Sequence, residues 1–255
     1  MDDTVRIMPC LDMQNGRVVK GVQFVDLRDA GDPVACCRAY SRAGADELAL
    51  LDITATVEGR DTMLEVVRRV AESATVPFTV GGGIKDVASA RAVLEAGADK
   101  ISTSSAAFRN PDVMGALVAE FGPEKITVAI DAAQNDSMPS GYEVYIDGGR
   151  TATGADAIEW AVKVTGYGVA TILPTSKSTD GVREGFDLPL IRKIKDATSA
   201  EVVASGGAGT LQHFYEATQA GATVLLAASV FHFGIIGIPE LKAYLKAQGV
   251  AVRTA

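Results

Sequence analysis

The chain of 255 residues carries 24 basic against 32 acidic side chains, a formal charge of −8, with 47% hydrophobic and 22% charged residues. That balance excludes a basic nucleic-acid surface and a disordered tail, and it suits a globular chain that buries its core without staples. No apolar run reaches the roughly 18 residues of a membrane span, residues 1–12 do not read as a secretory signal, and Cys10, Cys36 and Cys37 form an odd set without a CxxC pair, so a cytoplasmic protein is expected.

Short β-branched runs alternate with longer helical stretches. Strands are predicted at Arg6–Leu11, Glu47–Asp52, Pro77–Val80, Lys100–Ser104, Ile126–Asp131, Ala170–Thr175, Glu201–Ser205 and Thr223–Ala227. Between them lie amphipathic patterns such as residues 62–74, where Met63, Val66, Val67 and Val70 share one helical face. Eight strands in 255 residues give about 32 residues per unit, the size of a (β/α)8 barrel, and apolar runs suit parallel strands buried on both faces. Gly44, Gly97 and Gly221, with Gly166 and Gly168 at a fourth place, fit left-handed caps between a helix and the next strand.

An internal repeat is visible. Gly82 and Gly206, Gly97 and Gly221, and Ser105 and Ser229 are each 124 residues apart, and Asp12 and Asp131 are 119 apart. The expected organisation is therefore an α/β fold, a single (β/α)8 barrel over residues 1–255 built from two similar half-barrels of about 1–122 and 123–255. A Rossmann-type sheet competes, but two similar halves without a linker favour closure.

In such a barrel, chemistry sits on the loops after the strands. The third and fourth strands lead into 81-GGGI-84 and 104-SSAA-107, the seventh and eighth into 205-SGGAG-209 and 227-AAS-229. Glycines let backbone N–H groups approach an anion, and following helix N-termini add partial positive charge. Each glycine pair also has a simpler use, as a tight strand-to-helix turn; its recurrence at fixed spacing favours two phosphate pockets, one per half. A substrate with a phosphate at each end would bridge them.

Asp12 and Asp131 each close an apolar strand, on opposite sides of the barrel mouth. Poor solvation there raises a carboxylate toward the range of a general acid, and two such groups in different surroundings divide acid and base roles. Their alternative use is to cap the following loop; that is the expectation for Asp52, a supporting residue. The loop from Met13 to about Gly31 carries Gly16, Arg17 and Lys20 and is long enough for a lid, from which Lys20 reaches the substrate. His213 and His232, both placed at helix starts, are expected to be structural or exposed, Cys10 to fill the barrel and Trp160 to pack. No HxxH, HExxH or GxSxG motif occurs, so no metal and no cofactor is expected.

The segments 9-PCLDMQNGRVVKG-21, 26-DLRDAGDP-33, 47-ELALLDITAT-56, 78-FTVGGGI-84, 98-ADKIS-102, 129-AIDA-132, 204-ASGGAG-209 and 227-AASVFHF-233 closely resemble the cyclase subunit of imidazole glycerol phosphate synthase. The resemblance runs from about Arg6 to Val252. It implies a lyase of histidine biosynthesis, an amino-acid biosynthesis enzyme, that takes ammonia and the bis-phosphorylated phosphoribulosyl formimino aminoimidazole carboxamide ribonucleotide and releases imidazole glycerol phosphate and aminoimidazole carboxamide ribonucleotide. It implies acid–base roles for Asp12 and Asp131, a mobile-loop lysine at Lys20, and phosphate contacts at Gly82, Gly83, Ser104, Ser105, Asp180, Gly181, Gly206, Gly207, Ala228 and Ser229. Thr175 and Ser205 support them. It further implies a heterodimer in which a glutaminase docks at the N-terminal face and delivers ammonia through a gate at Arg6, Glu47 and Lys100.

Departures from the family pattern cluster in 171-TILPTSKSTDGV-182. Thr171 stands where the gate's glutamate is expected, so the gate should be incomplete. Ser178 replaces an acidic residue, Lys177 is new, Pro174 removes a ladder donor inside a strand, and Ala133 replaces a lysine. Three alternatives follow: the sister family's Amadori-type phosphoribosyl isomerase, a diverged paralogue with another bis-phosphate substrate, or a non-catalytic subunit that activates its partner.

Overall fold

The structure, a computed structural model, describes residues 4–22, 25–55 and 62–253, and for residues 20–22 and 25–30 the backbone alone. Eight parallel strands close on themselves: β1 (Arg6–Gln14), β4 (Leu48–Asp52), β5 (Phe78–Gly81), β6 (Lys100–Thr103), β7 (Ile126–Gln134), β10 (Thr171–Ser176), β11 (Glu201–Ala204) and β12 (Val224–Ala227). Pairing runs in that order around the ring, with β10 against β7 and β12 back against β1. The barrel expected from the spacing is the barrel found, and each predicted strand coincides with one of the eight.

The expected loop after the first strand is instead a hairpin, β2 (Arg17–Val22) and β3 (Val25–Gly31), running antiparallel off the end of β1. Its signal lies in the sequence. Asn15-Gly16 joins Gln14 to Arg17 with both residues at positive φ, 50° and 77°, as a tight two-residue hairpin turn requires. A second hairpin, β8 (Tyr142–Ile146) and β9 (Thr151–Asp156), leaves β7 in the same way, with positive φ at Asp147, Gly148 and Gly149. The order strand, hairpin, three strands thus occurs twice. The Lys20 side chain, placed by expectation on the first excursion, lies outside the described residues.

Between the strands run α1 (Pro33–Arg42), α2 (Leu64–Ala71), α3 (Val87–Glu95), α4 (Ser105–Arg109), α5 (Asp112–Phe121), α6 (Ala157–Gly166), α7 (Leu188–Ala197), α8 (Leu211–Gln219), α9 (Ser229–His232) and α10 (Ile238–Ala247). Gly44, Gly97, Gly168 and Gly221 take the left-handed conformation expected after their helices; Gly166 does not, because it is the last helical residue of α6. Among the described residues no helix is long and apolar enough to cross a membrane.

Strand alternation divides the core in two. Outward residues such as Ile7, Leu11, Leu50 and Ile101 pack against the helices in a continuous annular layer. Inward residues Met8, Cys10, Ala49, Leu173, Val203, Val224 and Leu226 fill the barrel. Pro174 fits because the β10–β11 ladder lapses opposite Leu173 and Pro174 and resumes at the Thr175–Ser205 bridge. Within the annular layer Phe214 meets Phe186 edge-on at 5.6 Å and stacks on Phe231 at 5.9 Å. Phe214→Ala is expected to cost about 3–5 kcal/mol, seen as a lower urea midpoint at unchanged slope.

Candidate active site

The inward faces of the strands order the site along the barrel axis. On β1 the inward series is Arg6, Met8, Cys10, Asp12; on β7 it is Thr127, Ala129, Asp131; on β11 and the residue after it, Glu201, Val203, Ser205. Apolar and small side chains occupy the middle, and polar ones lie at both ends. At the C-terminal mouth, Asp12 and Asp131 line one pocket of about 110 Å³, together with Thr175, Asp180, Gly181, Ser205, Gly206, Gly207, Ala228 and Ser229. Asp131, Ala129 and Leu51 also line a second pocket of about 540 Å³, bordered by Asp52, Gly82, Gly83, Ser104 and Ser105. Asp131 therefore stands at the seam of one two-lobed groove, with a glycine-rich cradle in each lobe.

The two cradles are built alike. Gly82 and Gly83 have φ of 93° and 76°; Gly206 and Gly207 have 80° and 105°. A Cβ at Gly82 would sit 2.2 Å from the Asp52 carbonyl oxygen, and one at Gly207 would sit 1.9 Å from that of Gly185. Only glycine permits these turns. The helices after the neighbouring strands, α4 and α9, have five and four residues, so the expected contribution of helix dipoles is small there. An anion placed there would instead meet backbone N–H groups and side chains. Of those side chains, Ser105 accepts the Asp147 amide at 2.8 Å and is committed to the adjacent turn.

Two cations absent from the sequence expectations complete the rims: Arg150 beside the first cradle and Arg183 beside the second. Arg183 donates from Nε to Ser229 Oγ at 3.3 Å and lies over the Phe233 ring, 5.6 Å from its centroid. No spacing rule marks either residue; both arrive on excursions whose course depends on the barrel.

Asp131 is electrostatically distinct. Burial first, then the charge of Asp180, pushes its carboxyl from the ordinary 3.8 up to about 7, with Lys177 pulling the other way. Lys177 follows Ser176, which is in register with Ala132, so it falls beside Ala133, where the lysine expected from the resemblance is missing. Its ammonium lies 3.6 Å from the Tyr145 ring centroid. Asp12 is 7% exposed and accepts from Cys10 Sγ at 3.2 Å, so Cys10 fills the barrel as expected and also touches the site. Asp52 caps its own loop through the amides of Thr54 and Ala55, and Thr175 donates to Ser205 across the strand bridge at 3.1 Å. Ser178 shares a hydrogen bond with Ser176. Trp160 is packed against Phe108, and His213 accepts the Gly209 amide; His232 ends its helix rather than starting it.

At the opposite mouth Arg6 lies 3.1 Å from Glu47 and pairs with Glu201, while Lys100 lies 3.1 Å from the other Glu47 oxygen. The sequence expectation of a ring lacking its last carboxylate is corrected here. Glu201 is in register with Thr171 on the adjacent strand, and it supplies the acid that Thr171 does not. Above the ring, Thr79, Thr127 and Thr171 line a void of about 10 Å³ that shares Leu51 and Leu173 with the pocket around Asp12 and Asp131.

Residues 6–237 match the family model described as histidine biosynthesis protein. The chain belongs to that family. It is accordingly a barrel enzyme of histidine biosynthesis, and the groove at the C-terminal mouth is where such a barrel carries its chemistry.

In this family member the raised Asp131 carboxyl also makes a stability prediction. The folded state holds the Asp131 proton more tightly than the unfolded chain, so stability falls as pH rises from about 4 to about 7 and the cost is complete above that. Asp131→Asn is expected to stabilise the protein by about 1–3 kcal/mol at pH 8 and by almost nothing at pH 4, measured by urea unfolding at both values.

Proposed function

We propose that the protein is the cyclase of the family: an ammonia-using lyase that converts phosphoribulosyl formimino aminoimidazole carboxamide ribonucleotide into imidazole glycerol phosphate and aminoimidazole carboxamide ribonucleotide. The two cradles on either side of Asp12 and Asp131 support a substrate with a phosphate at each end, and Arg150 and Arg183 supply charge at the rims that a chain of −8 otherwise lacks there. The acid–base pair is shared with isomerase chemistry. The observation that favours the cyclase is the ion-paired ring at the N-terminal mouth with threonine hydroxyls above it, directly under the catalytic pocket. An isomerase that consumes no ammonia has no use for a polar path there.

In this reading ammonia released by a glutaminase docked on the N-terminal face enters past Arg6, Glu47, Lys100 and Glu201. At the pocket its nitrogen adds to the substrate ketone and water leaves. Asp131, near half protonation at neutral pH, donates the proton that departing oxygen needs, and Asp12 takes protons from the attacking nitrogen before ring closure and cleavage. Loop residues around Gly82, Ser104, Gly206 and Ser229 hold the two phosphates so that the reacting carbon lies between the acids.

Product analysis with ammonium salt and the bis-phosphate substrate tests the reaction without the partner. Imidazole glycerol phosphate is expected; conversion of only the isomerase's aminoaldose substrate would replace the proposal with isomerisation, and glutaminase stimulation without any product would make the barrel an activating subunit. Asp12→Asn and Asp131→Asn should each lower kcat at least about 10²-fold, and the wild-type kcat should fall as pH rises through about 7. Arg183→Gln should raise KM about tenfold with little change in kcat, as loss of one charge-assisted phosphate contact does.

A further inference from the structure

We infer that Tyr40 and His232 form a positioning device for Asp12, acting through Cys10. The inference rests on the proposed acid–base role of Asp12. Along its lower half β1 is registered with β12, from Arg6 opposite Val224 to Pro9 opposite Ala227. That pairing ends there, because β12 ends at Ala227, and from Cys10 to Met13 the registered neighbour is β4 on the other edge. At this place His232, the last residue of α9, brings Nε2 to 2.9 Å from the Cys10 carbonyl oxygen. Its Nδ1 lies 2.6 Å from the Tyr40 hydroxyl on α1, with the two rings 5.6 Å apart.

Chemistry fixes the direction of the bond to Cys10. A carbonyl oxygen only accepts, so Nε2 carries a proton. Burial, followed by the neighbouring Cys36 and Cys10 thiols, pushes the Tyr40 phenol well above its ordinary range, so the phenol keeps its proton and is able to donate a hydrogen bond to Nδ1. The arrangement we infer is the Nε2–H tautomer of His232, oriented by Tyr40 as a carboxylate or hydroxyl commonly orients a functional imidazole. Its N–H takes the place of the ladder donor that β12 no longer provides. Cys10 passes the constraint on: its backbone is held by His232, and its thiol donates to Asp12 Oδ1 at 3.2 Å. Asp12 lies two residues beyond the tether, on the same inward row of β1. Small shifts of that row misalign proton transfer, which depends steeply on donor–acceptor geometry.

The test uses full-length wild type, His232→Leu and His232→Gln, with kcat and KM for ammonium-driven turnover, thermal unfolding, and the 13C signal of the Asp12 carboxyl. His232→Leu should lower kcat about tenfold with KM within about twofold. His232→Gln, whose amide still donates to the Cys10 carbonyl, should recover most of the loss, and the Asp12 carboxyl signal should move in the leucine variant and return in the glutamine one. A leucine variant with wild-type kcat, a loss that glutamine does not recover, or an unmoved carboxyl signal would overturn the inference. Should the leucine variant not fold, 15N spectra of wild-type His232 decide: a protonated Nδ1 at neutral pH refutes the arrangement, and a bare Nδ1 with protonated Nε2 upholds it. Absence of turnover in the wild type would refute the proposed reaction while leaving the carboxyl and tautomer signals to judge the tether.

Discussion

Two-residue alternation along eight closed parallel strands governs this molecule. Once hydrogen bonding has joined β10 to β7 and β12 to β1, every second residue of each strand must enter the barrel at a height set by register. Arg6 and Asp12 share one inward row and come out at opposite mouths, six residues apart. Met8 and Cys10 separate the two ends along that row, so a ring of ion pairs at one mouth and the carboxylates Asp12 and Asp131 at the other coexist in one barrel.

Electrostatics at the upper mouth follow from what surrounds each acid. Asp131 and Asp180 line the same groove, where desolvation and the Asp180 charge raise the Asp131 carboxyl and Lys177 offsets only part of that. The result is a carboxyl that titrates near neutrality at a cost in stability, the usual trade at a working site. Although the chain is acidic overall, left-handed glycine pairs bring backbone close to the groove, and one arginine stands at each rim.

Register also explains how the family pattern survives changes at single positions. A carboxylate missing at Thr171 reappears at Glu201, its registered partner on the next strand, and a lysine missing at Ala133 has a counterpart in Lys177, the residue just past the end of β10. In a closed sheet a charge belongs to a place around the barrel before it belongs to a strand. Two in-register residues on adjacent strands lie about 5 Å apart, within the reach of a long side chain, so either strand can serve the same place.

The amino-acid order by itself determined the eight strands, the twofold repeat, the carboxylates at Asp12 and Asp131 and the paired glycines at 82–83 and 206–207, because periodicity, turn chemistry and backbone strain are local properties. It also held the Asn15-Gly16 turn of the first hairpin, a short-range signal that a long-loop interpretation passes over. Only the tertiary structure decided that Glu201 closes the ring, that Arg150 and Arg183 stand at the rims, that Ser105 is spent on a turn, and that His232 reaches Cys10 across 222 residues of chain. Each of those contacts joins elements distant in sequence, and which side chains meet depends on barrel closure and strand register, quantities that no local stretch of residues encodes.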